Sequence, residues 1–162
     1  MTTMRIVSLI ALLIGITLGA AARCDDGKLD IIGKFESHSR EFVVATYTTS
    51  DGRDRVGLLA WRAGEERNSF ALRLDQWGVI FGLWEKAARA QGRDWKMVGT
   101  ISETGTTDIS RIDLRAGPGV ELAIASPKGA RIAYVLAAAD FARFEQAMRG
   151  MKAALQDGPA KK

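Results

Sequence analysis

The chain has 162 residues, 47% of them hydrophobic, with 23 basic against 19 acidic side chains and a net charge of +4. That length supplies one domain, or two small units sharing a core, and so mild and interspersed a charge does not by itself call for an anionic partner. One cysteine and one histidine exclude an intramolecular disulfide, a cysteine zinc cluster and the common multi-histidine zinc site.

The chain opens with MTTMRIVSLIALLIGITLGAAARCDD, in which Arg5 precedes the uncharged apolar run Ile6–Leu18 and the small residues Gly19 to Ala22 follow. This is the charged, apolar and small-residue order of a secretory signal peptide. It predicts cleavage after Ala22 and an exported protein, periplasmic or secreted, of about 140 residues. Only Arg5 would be lost, leaving 22 basic and 19 acidic side chains. An uncleaved anchor is the competing reading, but Ile6–Ala22, about 17 residues, is at the short end for crossing a bilayer. A lipoprotein signal would need a small residue directly before Cys24, where Arg23 stands. Cys24 could pair between chains in an oxidising compartment; a structurally idle residue is the simpler reading.

After a short segment, 23–28, turn-forming residues divide the chain into strand-like runs. These are Leu29–Glu36, Glu41–Thr49, Arg55–Arg62 and Asn68–Leu74. A helix over Asp75–Gln91 is expected next. Trp77, Ile80, Trp84 and Ala87 share one helical face, Asp75 is the expected N-cap and Gly92 the stop. The same order returns in Trp95–Ser102, Asp108–Arg115, Val120–Ala125 and Arg131–Ala138, then a helix over Ala139–Gln156. Here Phe141, Phe144, Met148 and Met151 take the places of Trp77, Ile80, Trp84 and Ala87. Phe70 lies over Tyr134, Leu72 over Leu136 and, after a small shift in one loop, Gly33 over Gly99.

The chain therefore reads as a tandem repeat of about 65 residues. The predicted fold class is α+β, made of two ββββα units, 29–92 and 93–156, with a loose tail at 157–162. Each unit is a four-stranded antiparallel meander covered by one C-terminal helix, because such a sheet has one face to bury. The expected covered face of the first unit holds Leu29, Ile31, Phe35, Val56, Leu58, Phe70, Leu72 and Leu74. Gly33 and Gly99 share that phase, where a missing side chain lets a helix approach closely. The two units are expected to pack as an intramolecular pseudo-dimer.

Residue types that carry chemistry do not converge. His38 lies in a predicted hairpin turn, and a Cys24–His38 couple would have no visible orienting group. A serine triad would need the same histidine, and no G-x-S-x-G occurs. Asp51-Gly52-Arg53-Asp54 lacks the ligand count of a calcium loop. Gly117-Pro118-Gly119 has no following helix and reads as a turn, not a phosphate loop. Carboxylates sit in terminal or turn segments, so a carboxylate-dependent hydrolase is a minor reading. No catalytic, metal or cofactor residue is assigned, and no cofactor is expected.

The strongest lead is the sheet face the helix would leave uncovered. In the first unit, Lys34, Tyr47, Arg55, Trp61 and Arg73 are the candidate binding surface, with Leu59 and small residues between. Cations interleaved with aromatics can stack on bases or sugars and neutralise phosphates. The competing reading buries Leu59 and Trp61 against the other unit. The corresponding face of the second unit, Ala123, Ala125, Ala133, Val135 and Ala137, is small and apolar and favours packing.

A tandem ββββα arrangement over Leu29–Gln156 resembles the Whirly and PUR-repeat architecture, in which paired units bind single-stranded nucleic acid. The likeness is one of topology. No binding motif diagnostic of either family stands in the sequence, so no site residue is carried over. The expectation is an exported, non-enzymatic protein that binds a protein or small-molecule ligand. Single-stranded nucleic-acid binding by the same surface is the alternative, disfavoured by export.

Overall fold

The computed structural model describes residues 27–102, 110–126 and 131–158. The expected signal peptide 1–22, Cys24, the turn Glu103–Thr107, most of the turn Ser126–Ala130 and the tail beyond Gly158 lie outside the described residues. No described helix is long and apolar enough to cross a membrane.

Strands β1 (Lys28–Ser37), β2 (Arg40–Thr48), β3 (Arg55–Ala63) and β4 (Glu66–Leu72) form one antiparallel meander, in chain order. Helix α1 (Leu74–Arg89) follows directly. Strands β5 (Lys96–Ser102), β6 (Arg111–Ala116), β7 (Val120–Ala125) and β8 (Ile132–Leu136) form the second meander. A 3-10 turn, Ala138–Asp140, then leads into helix α2 (Phe141–Asp157). The fold is α+β, with ββββα written twice.

Turn chemistry explains the hairpins. Gly64 opens the β3–β4 loop with φ 60°, a conformation glycine adopts without a Cβ penalty. Between β2 and β3, Asp51 accepts hydrogen bonds from the Thr49 hydroxyl and the Arg53 amide. That carboxylate is a turn former. Gly117 closes the β6–β7 turn, its amide donating to the Gly119 carbonyl at 3.0 Å.

The helices are exchanged. Helix α1 lies on β5, β6 and β7, while α2 lies on β1, β2 and β3, so the helix covering each sheet comes from the other unit. The glycines that share the covered phase meet exchanged partners. A Cβ on Gly33 would stand 2.7 Å from the Ala147 Cβ of α2, and one on Gly99 would stand 2.5 Å from Leu83 Cδ2 of α1. Close approach at both glycines is as the sequence predicts; the identity of the approaching helix is the new finding.

One core results. It joins Phe35, Phe42, Val44, Leu59, Trp61, Phe70 and Leu72 of the first sheet to Ile112, Leu114, Leu122, Ile124, Tyr134 and Leu136 of the second. Trp77, Ile80, Trp84 and Ala87 of α1 and Phe144, Met148 and Met151 of α2 complete it. The helices touch through Trp84, whose ring lies 4.3 Å from that of Phe144, and through Trp77 Nε1, which donates to the Met148 carbonyl at 2.8 Å.

Two expected details are corrected. Leu29 and Ile31 leave the covered face, because a β-bulge between Ile31 and Gly33 reverses the alternation. Its counterpart sits between Met97 and Gly99. Val56 and Leu58 are also on the outer face, and Gly57, Leu59 and Trp61 point inward, since Leu59 pairs with core Val44 and Phe70. At the helix start, Arg73 is the N-cap and Asp75 lies within the first turn. There the Gln76 side chain accepts from the Arg73 amide at 3.1 Å.

Candidate binding face

The outer face of the first sheet is built by alternation along β2 and β3. Val43 pairs with Ala60, Ala45 with Leu58 and Tyr47 with Val56. From β1, Ile31 pairs with Ala45 and Leu29 with Tyr47. Val43, Ala45, Leu58 and Ala60 form an apolar cluster separate from the main core, with Leu29 packed against it. All of its described members come from the sheet itself. The bulge leaves Ile31 at the margin, 59% exposed.

Charge closes one end of this floor. Glu41, nearly buried, holds Arg62 Nη2 at 3.2 Å and Lys34 Nζ at 3.3 Å, and Lys34 also reaches Glu36 at 2.7 Å. Hydrogen bonding to Glu36 and Glu41 raises the Lys34 pKa, and the same ammonium holds the Glu36 carboxyl below its ordinary value. Beside them lies an open polar cleft of about 480 Å³ whose lining includes His38, Arg40, Glu41 and Arg62. Arg40 reaches across to the second unit, donating to the Ala133 carbonyl at 3.0 Å.

The outer face of the second sheet has a different chemistry. Asp113 accepts from the Thr100 hydroxyl at 2.8 Å and pairs with Arg111, while Glu121 pairs with Arg115 and Arg131. Ala123 and Ala133 lie among these groups, so this face is a polar network and not the small apolar packing surface expected. The units meet through their inner faces instead. Phe42 stacks on Tyr134 at 6.0 Å, and Trp61 Nε1 donates to the Leu122 carbonyl at 3.0 Å.

The five candidate residues are not brought together. Lys34 and Tyr47 stand on the outer face, Lys34 half-exposed and Tyr47 buried. Trp61 is on the inner face and fully buried, so it is removed from the candidate surface. Arg55 donates from Nε to the Thr48 hydroxyl and from Nη1 to the Ala154 carbonyl, both at 3.0 Å, and so holds the C-terminal turn of α2. Arg73 is exposed and tied to Asp75 at 2.7 Å. Burial of Leu59 and Trp61 against the other unit, the competing reading, describes their place.

Of the residues that build the outer face, Val43, Ala45, Ala60, Glu41 and Arg62 were not singled out in the sequence, and Leu58 was assigned to the covered face. Their signal was present: FVVATY in β2 and VGLLAW in β3 are apolar at both parities, the pattern of strands buried on both faces. His38 lies in an exposed turn with the Ser37 hydroxyl 3.2 Å from Nδ1. Among the described residues, no three His, Cys, Asp or Glu side chains gather closely enough to hold a metal ion.

No protein-family model matches the chain, and no curated protein matches it. Among solved structures, the chain is similar to WHY1 from Arabidopsis thaliana. The identity is 13%, the match covers 83% of this chain and 93% of that chain, and the TM-score is 0.47.

Proposed function

We propose that this is an exported, non-enzymatic binding module whose contact surface is the outer face of the first sheet. The observation that carries the reading is the apolar cluster Val43, Ala45, Leu58 and Ala60, held apart from the main core and ended by Lys34, Glu41 and Arg62. Such a floor favours an apolar ligand or protein segment with a polar end. Contact would be driven by apolar area, at about 25 cal/mol per Å², and oriented by the charged end. Export is supported by Arg5, the run Ile6–Leu18 and Ala20–Ala22.

Phosphate-driven binding is the less favoured reading. It needs cations free to replace counterions. On the two outer faces Lys34, Arg62, Arg111, Arg115 and Arg131 are all ion-paired to carboxylates.

The test uses the chain beginning at Arg23, with 1-anilinonaphthalene-8-sulfonate as the apolar probe and a single-stranded oligonucleotide at low salt as the second arm. Saturable dye binding that weakens at least tenfold in Leu58→Ser, with near-UV circular dichroism unchanged, supports the reading. Dye binding unaffected by that substitution overturns it, as does oligonucleotide binding that falls steeply with salt.

A further inference from the structure

We propose that two copies of this chain associate through the solvent side of α1, helix against antiparallel helix, with Val79 of each copy seated on Gly82 of the other. The inference goes beyond the binding reading above and does not depend on it.

The face consists of Asp75, Gly78, Val79, Gly82, Lys86 and Arg89. At 3.6 residues per turn these share about a third of the helix circumference. They lie opposite Trp77, Ile80, Trp84 and Ala87, which enter the core. Asp75, Gly78, Val79, Lys86 and Arg89 are exposed, and Val79, an apolar β-branched residue, is 55% so.

The first observation is that nothing within the described chain accounts for the two glycines. Glycine is the poorest helix former after proline, yet both stand inside a helix of 16 residues. Elsewhere a neighbour explains the missing side chain. A Cβ on Gly33, Gly57, Gly99, Gly117 or Gly119 would stand 2.7 Å or less from another atom. A Cβ on Gly78 or Gly82 would meet nothing within 4 Å, and neither residue has positive φ.

The second observation comes from the repeat. The α2 residues equivalent to Gly78, Val79 and Gly82 are Ala142, Arg143 and Gln146. All three are good helix formers, and all three are exposed. Helix α1 departs from its twin by placing two hollows and one apolar knob on the side that faces water.

The third observation is charge, which selects a second copy as the occupant and sets its direction. Asp75 stands at the start of the face and Lys86 near its end. Antiparallel pairing brings Asp75 of each copy to Lys86 of the other, whereas parallel pairing would oppose like charges. The antiparallel register also sets Val79 against Gly82 and Gly78 against Leu83, and a two-fold axis makes the surface self-complementary. Lys86 has no ion-pair partner among the described residues. Asp75 pairs with Arg73, but both are exposed, so the pair is weak and leaves acceptor positions for a lysine. A single helix pair buries less than about 1,200 Å², so the dimer is reversible.

Sedimentation equilibrium of the full chain, as Cys24→Ser in dilute density-matched non-ionic detergent, measures the association constant. A monomer–dimer equilibrium is expected. Asp75→Lys alone and Lys86→Asp alone should each weaken it at least about tenfold, because like charges then meet across the axis. The two together in one chain should restore it. Gly82→Gln, which installs the α2 residue, should weaken dimerisation at least about tenfold and raise the thermal midpoint of the dilute monomer. A chain that stays monomeric up to about 1 mM overturns the inference. So does a dimer indifferent to Gly82→Gln, or one that the paired charge reversal fails to restore.

Discussion

The indole nitrogen of Trp61 donates to the main-chain carbonyl of Leu122 at 3.0 Å, and this bond ties the third strand of one sheet to the third strand of the other. Trp61 is fully buried and its ring lies 4.8 Å from that of Phe42. Trp61→Phe keeps most of the packing and removes this bond, while the Leu122 carbonyl stays within the β6–β7–β8 ladder, at a cost of about 0.5–1.5 kcal/mol. Trp61→Ala adds a cavity and is expected to cost about 3–5 kcal/mol. Urea unfolding followed by far-UV circular dichroism measures both. Because the bond spans the units, each variant should unfold in one transition with an unchanged slope.

Gly33 and Gly99 are equivalent positions with unequal tolerance. The neighbour of Gly33 is the Ala147 Cβ, fixed to the α2 backbone, whereas Gly99 faces the end of the flexible Leu83 side chain. Gly33→Ala is expected to destabilise by about 1–3 kcal/mol and Gly99→Ala by less. Adding Ala147→Gly should recover part of the Gly33→Ala loss. A double-mutant cycle on unfolding free energies reads that coupling.

Arg55 acts on the far end of α2. Arg55→Met retains the aliphatic stem and removes the bonds to Thr48 and to the Ala154 carbonyl. Its guanidinium also faces the negative end of the helix dipole. The expected loss is about 0.5–1.5 kcal/mol, concentrated in the last turn. Amide hydrogen exchange should show faster exchange there, with α1 unchanged.

Acid sensitivity follows from three carboxylates. Asp51 is held below its ordinary pKa chiefly by the Thr49 hydroxyl, Asp75 by Arg73 and Glu36 by Lys34. A folded-state pKa below the unfolded one contributes stability above the unfolded value, about pH 4, and loses it as pH falls through the folded value. The urea midpoint is expected to be flat from about pH 7 to pH 5 and to decline below about pH 4. Asp51→Asn with Asp75→Asn should flatten that decline.

His38 holds φ 53° in the β1–β2 turn, the sole described non-glycine residue with positive φ. Relief of that strain by His38→Gly, offset by added freedom in the unfolded chain, should stabilise the fold by about 0.5–1 kcal/mol. Thermal unfolding would show a higher midpoint.

Much of this architecture is legible in residue order. The repeated spacing of Trp77, Ile80, Trp84 and Ala87 with Phe141, Phe144, Met148 and Met151 marks both helices, and all but Phe141 are fully inside the core. Gly33 and Gly99 announce the close contacts. The outer face was not legible for two physical reasons. A bulge adds one residue at Ile32 and reverses the phase of everything before it, which alternation cannot foresee. Val56 to Trp61 is apolar at nearly every position, so period-two reasoning has no contrast with which to choose a side for Trp61. Arg55 and Arg73 are ordinary cations until the fold shows one against a helix end and the other against Asp75.

Because each sheet borrows its cover from the opposite half, neither half is a self-sufficient folding unit. Cut between α1 and β5, the chain should yield two fragments that are each incompletely folded and that regain structure only when mixed.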